Sequence, residues 1–208
     1  MIWLFRYNEV ERRLEAVDMD LMTAIRTRRS IGKVKPDPID KASIEQLIEA
    51  ARWAPNHHLT EPWKFIVMMG EGRRVLGDAY AAIAQEGLEG LEEPALTERL
   101  DKERAKAYRS PVVIAVVCTP SDNPRAVLAE ELAASHAAVQ NLLLAAHALG
   151  LGAVWRSGDP MYHPRMHQAF GLGERDSLVG LIYIGYPDMK ELAGRRQPAA
   201  AKTVWLEG

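Results

Sequence analysis

A chain of 208 residues can form one sizeable domain with its own core, and a hydrophobic content of 48% excludes an intrinsically disordered protein. The net charge of −2, from 26 basic and 28 acidic residues, argues against a general nucleic-acid binder, so we expect no nucleic-acid partner. The single cysteine, Cys118, excludes an intrachain disulfide framework and favours a cytoplasmic location.

The N-terminal 18 residues look separate from the rest of the chain. Their apolar opening is too short for a signal peptide, and charged residues follow it. Met19 would be a natural start, so we interpret 1–18 as an extension of uncertain status and 19–208 as a single domain. The most apolar long stretch, 133–154, carries two histidines, a glutamine and an asparagine, and we expect no membrane contact.

A basic stretch follows the first predicted helix. Asp20 can cap a helix that ends near Arg28, and the ten residues 26–35 hold five cations and Ser30. Guanidinium groups bind phosphate in a bidentate manner, so the stretch is a candidate phosphate site. The alternative is a solvated basic turn at a helix C-terminus, where cations are favoured in any case.

The middle of the chain alternates helices, loops and strands. Asp40 or Ser43 begins a helix that ends at Ala54, and a proline-bounded loop with two adjacent histidines follows it. Residues 112–117 form an apolar β-branched run, typical of a strand buried on both faces. The other predictions here are a strand over 64–69, a helix over 73–85 and a surface helical segment over 87–108.

The last third predicts a long helix and two more strands. Residues 126–149 are apolar nearly all round, which indicates a helix buried in a core or in a dimer interface. The further predicted elements are a strand at 153–155, a helix at 164–170, a strand at 178–186 and a tail from 189 to 208. Helices interleaved with strands predict an α+β or three-layer α/β/α domain.

The remaining motifs of the sequence give weaker signals. His163 and His167 have the i, i+4 spacing of a zinc pair, but no third ligand lies nearby in the sequence, so we predict no metal site. Nucleotide-binding and nucleophile-elbow motifs are absent from the sequence. Pro62-Trp63 and Trp155-Arg156-Ser157 fit either core aromatics or loops that contact a planar ligand.

Taken in order, five motifs resemble the FMN-dependent nitroreductase family, in its small, compact branch. The resemblance covers roughly residues 19–187. The motifs that carry it are Arg28-Arg29-Ser30, Ala54-Pro55-Asn56-His57 with Pro62-Trp63, Gln140-Asn141, the run from Gly150 to Gly158, and Gly185-Tyr186-Pro187.

The resemblance implies a nitroreductase-like fold with a central, mostly antiparallel sheet flanked by helices. It also implies an intertwined homodimer with two FMN sites at the subunit interface and a C-terminal tail packed on the partner. The cofactor-binding positions that it implies are Arg28, Arg29, Ser30, Lys33, Trp53, His57, Trp155, Arg156, Ser157 and Arg196. Among them, Trp53 and His57 would reach the flavin from the partner, Lys33 would replace a missing arginine, and Arg195 is an alternative to Arg196.

The function implied is reduction of nitroaromatic or quinone-like planar acceptors by NADH or NADPH in a ping-pong reaction. The flavin carries the chemistry, so no catalytic side chain is predicted. Arg156 is the candidate cation for the flavin N1–C2=O edge, although it could equally bind the phosphate or a partner carboxylate. Two alternatives stay open: a non-catalytic FMN carrier or sensor, and a dimeric interaction protein without cofactor.

Overall fold

The computed structural model describes residues 19–88, 90–190 and 192–208, so the extension 1–18 lies outside the described residues. The helices of the described chain are α1 Leu21–Thr27, α2 Lys41–Arg52, α3 Arg74–Gln85, α4 Ala95–Arg104, α5 Leu128–Ala148, α6 Asp159–Tyr162 and α7 Pro164–Ala169. The strands are β1 Trp63–Met69, β2 Val112–Cys118, β3 Gly152–Arg156 and β4 Ser177–Gly185. Short 3₁₀ turns lie at His57–Leu59, Gly70–Arg73, Ala105–Tyr108 and Ala199–Lys202.

The four strands form one sheet in the order β1-β2-β4-β3, and every pairing is antiparallel. The predicted antiparallel sheet is therefore confirmed. Strand β2 lies between β1 and β4, and all seven of its residues are buried. That agrees with the prediction from its continuous apolar run, because a strand covered on both faces has no side exposed to water.

Helices cover both faces of the sheet. On one face, Ile114 and its neighbours on β2 pack against Leu47 of α2 and Leu142 of α5. On the other face, Val113 and its neighbours pack against Leu76 of α3 and Met166 of α7. Successive side chains of a strand point to opposite faces, so one apolar strand supplies both cores. The predicted three-layer arrangement is confirmed.

Asp40, rather than Ser43, caps helix α2. Its Oδ1 accepts the backbone N–H of Ser43 at 2.8 Å, and its Oδ2 accepts the Ser43 hydroxyl at 2.7 Å. These bonds stabilise the charged carboxylate and lower the pKa of Asp40, with the Ser43 hydroxyl as the largest cause. The two candidate cap residues from the sequence therefore act together.

The segment after α3 is more tightly packed than a surface helical segment would be. Glu103 on α4 and Ala107 in the following turn are both buried. Gly77 on α3 allows this, because a Cβ there would lie only 3.1 Å from the carbonyl oxygen of Arg104. No helix within the described ranges is both long and apolar enough to cross a membrane.

A glycine on β4 makes room for the indole of Trp155 on β3. The indole Nε1 donates to the Val179 carbonyl at 3.2 Å. A Cβ at Gly180 would lie 2.1 Å from that same nitrogen, closer than any non-bonded contact allows. The position of Trp155 therefore depends on the missing side chain at Gly180.

We predict that Gly180→Ala lowers the free energy of unfolding by about 1–3 kcal/mol, because the new methyl group displaces Trp155 in a packed layer. Gly72→Ala is the matched control, since no atom lies within 4 Å of a Cβ there. Urea denaturation of both variants measures the difference. Equal stabilities for the two variants would contradict the packing described here.

Candidate functional site

The basic stretch continues the sheet at its β3 edge. Ser30 forms a parallel bridge with Ala153, and the backbone N–H of Ile31 donates to the Ala153 carbonyl at 2.9 Å. Gly152 permits this close approach, because a Cβ there would lie 2.7 Å from Cγ2 of Ile31. The segment Arg28-Arg29-Ser30 is thus held next to the strand that leads into Trp155.

Backbone carbonyls, not carboxylates, hold the Arg29 guanidinium. Its Nη1 donates to the carbonyls of Arg26 at 2.7 Å and Arg28 at 2.8 Å, and its Nε donates to that of Leu192 at 3.1 Å. A Cβ at Gly194 would lie 1.8 Å from Arg29 Nη2, so only glycine lets the C-terminal segment pass there. Arg29 is fixed in place, and no carboxylate of the described residues pairs with it.

Arg28 lies among like charges. Partial burial lowers its pKa first, and the positive charges of Arg29 and Arg196 lower it further. Among the residues that the structure describes, Arg196 donates only to the backbone carbonyl of Arg195, at 2.7 Å. None of these three guanidiniums forms an ion pair with a carboxylate of the described chain. Three clustered cations without a counter-charge repel one another, and a bound anion would relieve that repulsion.

Lys33, unlike the three arginines, has an acidic partner in the described chain. Its Nζ pairs with Asp188 at 2.8 Å, and both side chains are largely exposed. This contact accompanies a backbone bond from Asp188 N–H to the Lys33 carbonyl at 3.0 Å. The structure therefore places Lys33 at the junction of the basic stretch with the segment after β4.

Arg156 and Ser157, at the end of β3, line a cavity of about 450 Å³ on the α3 side of the sheet. Its polar lining residues are Tyr80, Lys106, Arg109, Arg156, Ser157 and Tyr183. The Arg156 guanidinium lies over the Tyr183 ring at 5.3 Å, and its buried Nε has no hydrogen-bond partner among the described residues. Buried polar groups are normally paired, so this nitrogen marks a place for a ligand acceptor.

The guanidiniums of Arg109 and Arg156 and the tyrosine hydroxyls of this cavity favour an anionic or electron-rich ligand. Lys106 contacts the buried carboxylate of Glu103, which also pairs with Arg99 at 3.2 Å. The hydroxyls of Tyr80 and Tyr183 are 3.2 Å apart. Burial, and then the neighbouring Tyr80, raise the pKa of Tyr183, so its phenol stays protonated and able to donate.

The histidine loop lies elsewhere in the same chain. His57 Nδ1 is 2.7 Å from Glu130 Oε2 on α5, and the His57 and His58 rings stack at 3.9 Å. Trp53, the C-cap residue of α2, is 74% exposed and donates to Glu49 Oε1 at 2.9 Å. Both predicted residues are on the α2–α5 side of the sheet, opposite to the cavity.

The length of α5 separates the histidine loop from the arginine cluster. Thr27 Oγ1, just before Arg28, is 2.8 Å from Nε2 of His147 near the end of α5. Glu130, which contacts His57, lies 17 residues earlier on the same helix. At a rise of about 1.5 Å per residue, these two positions are about 25 Å apart. One copy of the chain does not bring His57 to the arginines.

Sequence reasoning missed four residues of the cavity: Tyr80, Lys106, Arg109 and Tyr183. Tyr183 lies in a strand whose apolar pattern predicts a core position, and Tyr80 lies in an ordinary amphipathic helix. Arg109 lies three residues before the buried strand β2 and Lys106 lies six before it, so cations ahead of a buried strand were the signal in the sequence. His163, which has the spacing of a zinc ligand, accepts the Arg165 N–H at 3.2 Å and caps α7.

The chain is similar to curated bacterial relatives over most of its length. The "Putative NAD(P)H nitroreductase YfhC" of Bacillus subtilis is 37% identical over 179 residues, covering 86% of this chain and 90% of the relative. YdjA of Escherichia coli, which carries the same descriptive name, is 31% identical over 172 residues, covering 83% of this chain and 91% of the relative.

Solved structures show the same architecture. A nitroreductase-like family protein from Bacillus cereus has a TM-score of 0.77 and 31% identity, covering 91% of this chain and 97% of that one. A Desulfovibrio desulfuricans protein crystallised in complex with FMN has a TM-score of 0.69 and 27% identity, covering 92% of this chain and 99% of that one. The family model described as "Nitroreductase family" matches residues 25–186. This chain belongs to the nitroreductase family.

Proposed function

We propose that this protein is an FMN-dependent oxidoreductase that uses NADH or NADPH to reduce planar acceptors such as nitroaromatics and quinones. The observation that carries the proposal is the cluster of Arg28, Arg29 and Arg196, which meets no carboxylate in the described chain. A phosphate monoester carries nearly two negative charges and would neutralise such a cluster. The FMN complex of the Desulfovibrio desulfuricans relative supports FMN as the source of that phosphate.

The residues present fit FMN. Arg28, Arg29 and Arg196 would hold the phosphate, and the exposed Ser30 would donate to the phosphate or the ribityl chain. The unpartnered Nε of Arg156 suits an acceptor on the polar edge of the isoalloxazine. A cavity of about 450 Å³ lies within the usual range for small-molecule sites.

This chain's own residues set the position and electrostatics of the site. Bound FMN supplies hydride acceptance from the nicotinamide and reduction of the second substrate. Arg156 and Arg109 place positive charge beside the cavity, which favours negative charge on a bound ring. The protonated Tyr183 contributes a phenol that can donate but carries no charge of its own.

A homodimer completes the site in this proposal. His57 and Trp53 lie on the other side of the sheet from the cavity, so the partner copy would supply them. Three non-glycine residues of the histidine loop have positive φ, namely His58, Leu59 and Glu61, and the loop leaves Leu59 exposed. Strained loops with exposed apolar tips are typical of contact sites. Trp205 and Leu206 in the tail are exposed as well.

The cytoplasm is the compartment that we propose. Cys118 is free and buried in β2, and a reducing compartment keeps such a thiol reduced. NADH and NADPH, the proposed donors, are also cytoplasmic metabolites.

Steady-state kinetics test the activity. With NADH or NADPH as donor and a nitroaromatic or a quinone as acceptor, double-reciprocal plots should give parallel lines. This pattern arises because donor and acceptor would occupy the same cavity in turn. Intersecting lines would contradict the ping-pong order. An FMN-loaded protein that oxidises neither nicotinamide with any acceptor would instead be a flavin carrier or sensor.

Arg28→Ala should weaken FMN binding by about 1.5–3 kcal/mol, because it removes a charge-assisted contact to the phosphate. Equilibrium titration of the apoprotein with FMN, followed by flavin fluorescence, measures the change. Arg74→Ala is the matched control, since Arg74 is exposed on α3 and pairs within the described chain with Asp78. An unchanged affinity in Arg28→Ala would remove Arg28 from the cofactor site.

Subunit mixing tests the shared site. Homodimers of Arg28→Ala and of His57→Ala each carry two defective sites. A heterodimer carries one intact site, because Arg28 from one copy meets His57 from the other. Co-refolding the two variants in equal amounts should therefore restore about a quarter of the wild-type sites. Activity no higher than the average of the two homodimers would show that each copy uses its own His57.

A further inference from the structure

A second, smaller cavity adjoins the first. It has a volume of about 240 Å³, and its lining residues include Lys35, Arg73, Tyr108 and Arg109. Arg109 also lines the 450 Å³ cavity, so the two are neighbours with a common wall. None of the residues lining the smaller cavity in the described chain is acidic.

Arg73 is preorganised in this cavity. Its Nε donates to the Gly70 carbonyl at 3.1 Å and its Nη1 to the Ser110 carbonyl at 2.5 Å. The guanidinium also lies over the Tyr108 ring at 4.7 Å. Contacts to backbone and to an aromatic face fix the group without neutralising it, so little side-chain entropy is lost when an anion binds.

The other two cations are also uncompensated. Lys35 and Arg109 form no ion pair within the part of the chain that the structure describes. Lys33 first, and Lys35 after it, lower the pKa of Asp188. The Asp188 carboxylate is bound to Lys33, at 2.8 Å, and not to Lys35. The cavity therefore presents three positive charges to any ligand that enters it.

We propose that this cavity binds the phosphate monoester on the adenosine ribose of NADPH, which gives the protein a preference for NADPH over NADH. The inference rests on the proposed function, because it concerns the donor of that reaction. A ribose phosphate carries about two negative charges at neutral pH, whereas the ribose hydroxyl of NADH carries none. In this proposal the donor reacts in the larger cavity and places its ribose phosphate in the smaller one, with Arg109 lining both.

Binding of adenosine 2′,5′-bisphosphate to the FMN-loaded protein tests the site without turnover. Isothermal titration calorimetry should show binding at least about tenfold tighter than that of adenosine 5′-monophosphate, because only the bisphosphate carries the added charge. Lys35→Ala should remove about tenfold of this affinity. Lys41→Ala, at an exposed lysine of α2, is the charge-matched control and should bind like the wild type.

Kinetics give a second readout. In Lys35→Ala, the ratio of kcat/KM for NADPH to kcat/KM for NADH should fall about tenfold, because only NADPH loses a contact. Flavin content, read from absorbance, should stay equal to that of the wild type. A fall in flavin content would assign Lys35 to the cofactor and overturn the proposal.

Other outcomes also decide whether the proposal holds. Equal affinities for the bisphosphate and the monophosphate would overturn the proposal, and so would a Lys35→Ala variant that binds the bisphosphate like the wild type. Inorganic phosphate that binds as tightly as the bisphosphate would show a free-phosphate site instead. Lys35-dependent binding of the bisphosphate in a protein that oxidises no NADPH would support the phosphate site and refute the reductase.

Discussion

The pairing of the basic stretch with the edge of β3 is the constraint on which the rest of the site depends. The bond from Ile31 N–H to the Ala153 carbonyl, at 2.9 Å, ties a segment early in the chain to a strand late in it. Gly152 makes the approach possible, since a side chain there would collide with Ile31. Because β3 continues into Arg156, this pairing puts the arginines and the cavity on one edge of the same sheet.

The clustered positive charges at the β3 edge of the sheet then determine which ligands this edge can bind. The C-terminal segment passes over Arg29 at Gly194 and carries Arg196 towards Arg28. Gathering guanidiniums without carboxylates costs electrostatic free energy, and an anion offsets that cost. The two cavities repeat the pattern with the guanidiniums of Arg156 and Arg109. A ligand with several negative or electron-rich groups is the occupant that this charge distribution favours.

Much of the architecture could be predicted from the sequence because its local signals agree with one another. The β-branched run of β2, the apolar helix α5 and the cap at Asp40 each appear where the residue pattern places them. Arg28-Arg29-Ser30 and Trp155-Arg156-Ser157 were predicted as site segments, and the structure brings them together at β3.

The remaining features could not be predicted because they depend on tertiary contacts. Lys33 pairs with Asp188, which lies far away in the chain, and no local pattern reveals such a partner. Tyr183 has the pattern of a core residue, and only the packing of α3 shows that its hydroxyl meets that of Tyr80. The packing of α4 against Gly77 likewise depends on two separate helices, so the buried Glu103 has no signature in its own segment.

The visible absorbance spectrum of the purified protein, recorded before and after anaerobic addition of NADH or NADPH, tests the central claim most directly. The account predicts a flavin spectrum that bleaches when the nicotinamide is added. A protein that shows no flavin absorbance, even after incubation with FMN, would contradict it and leave the arginine cluster as a solvated basic turn.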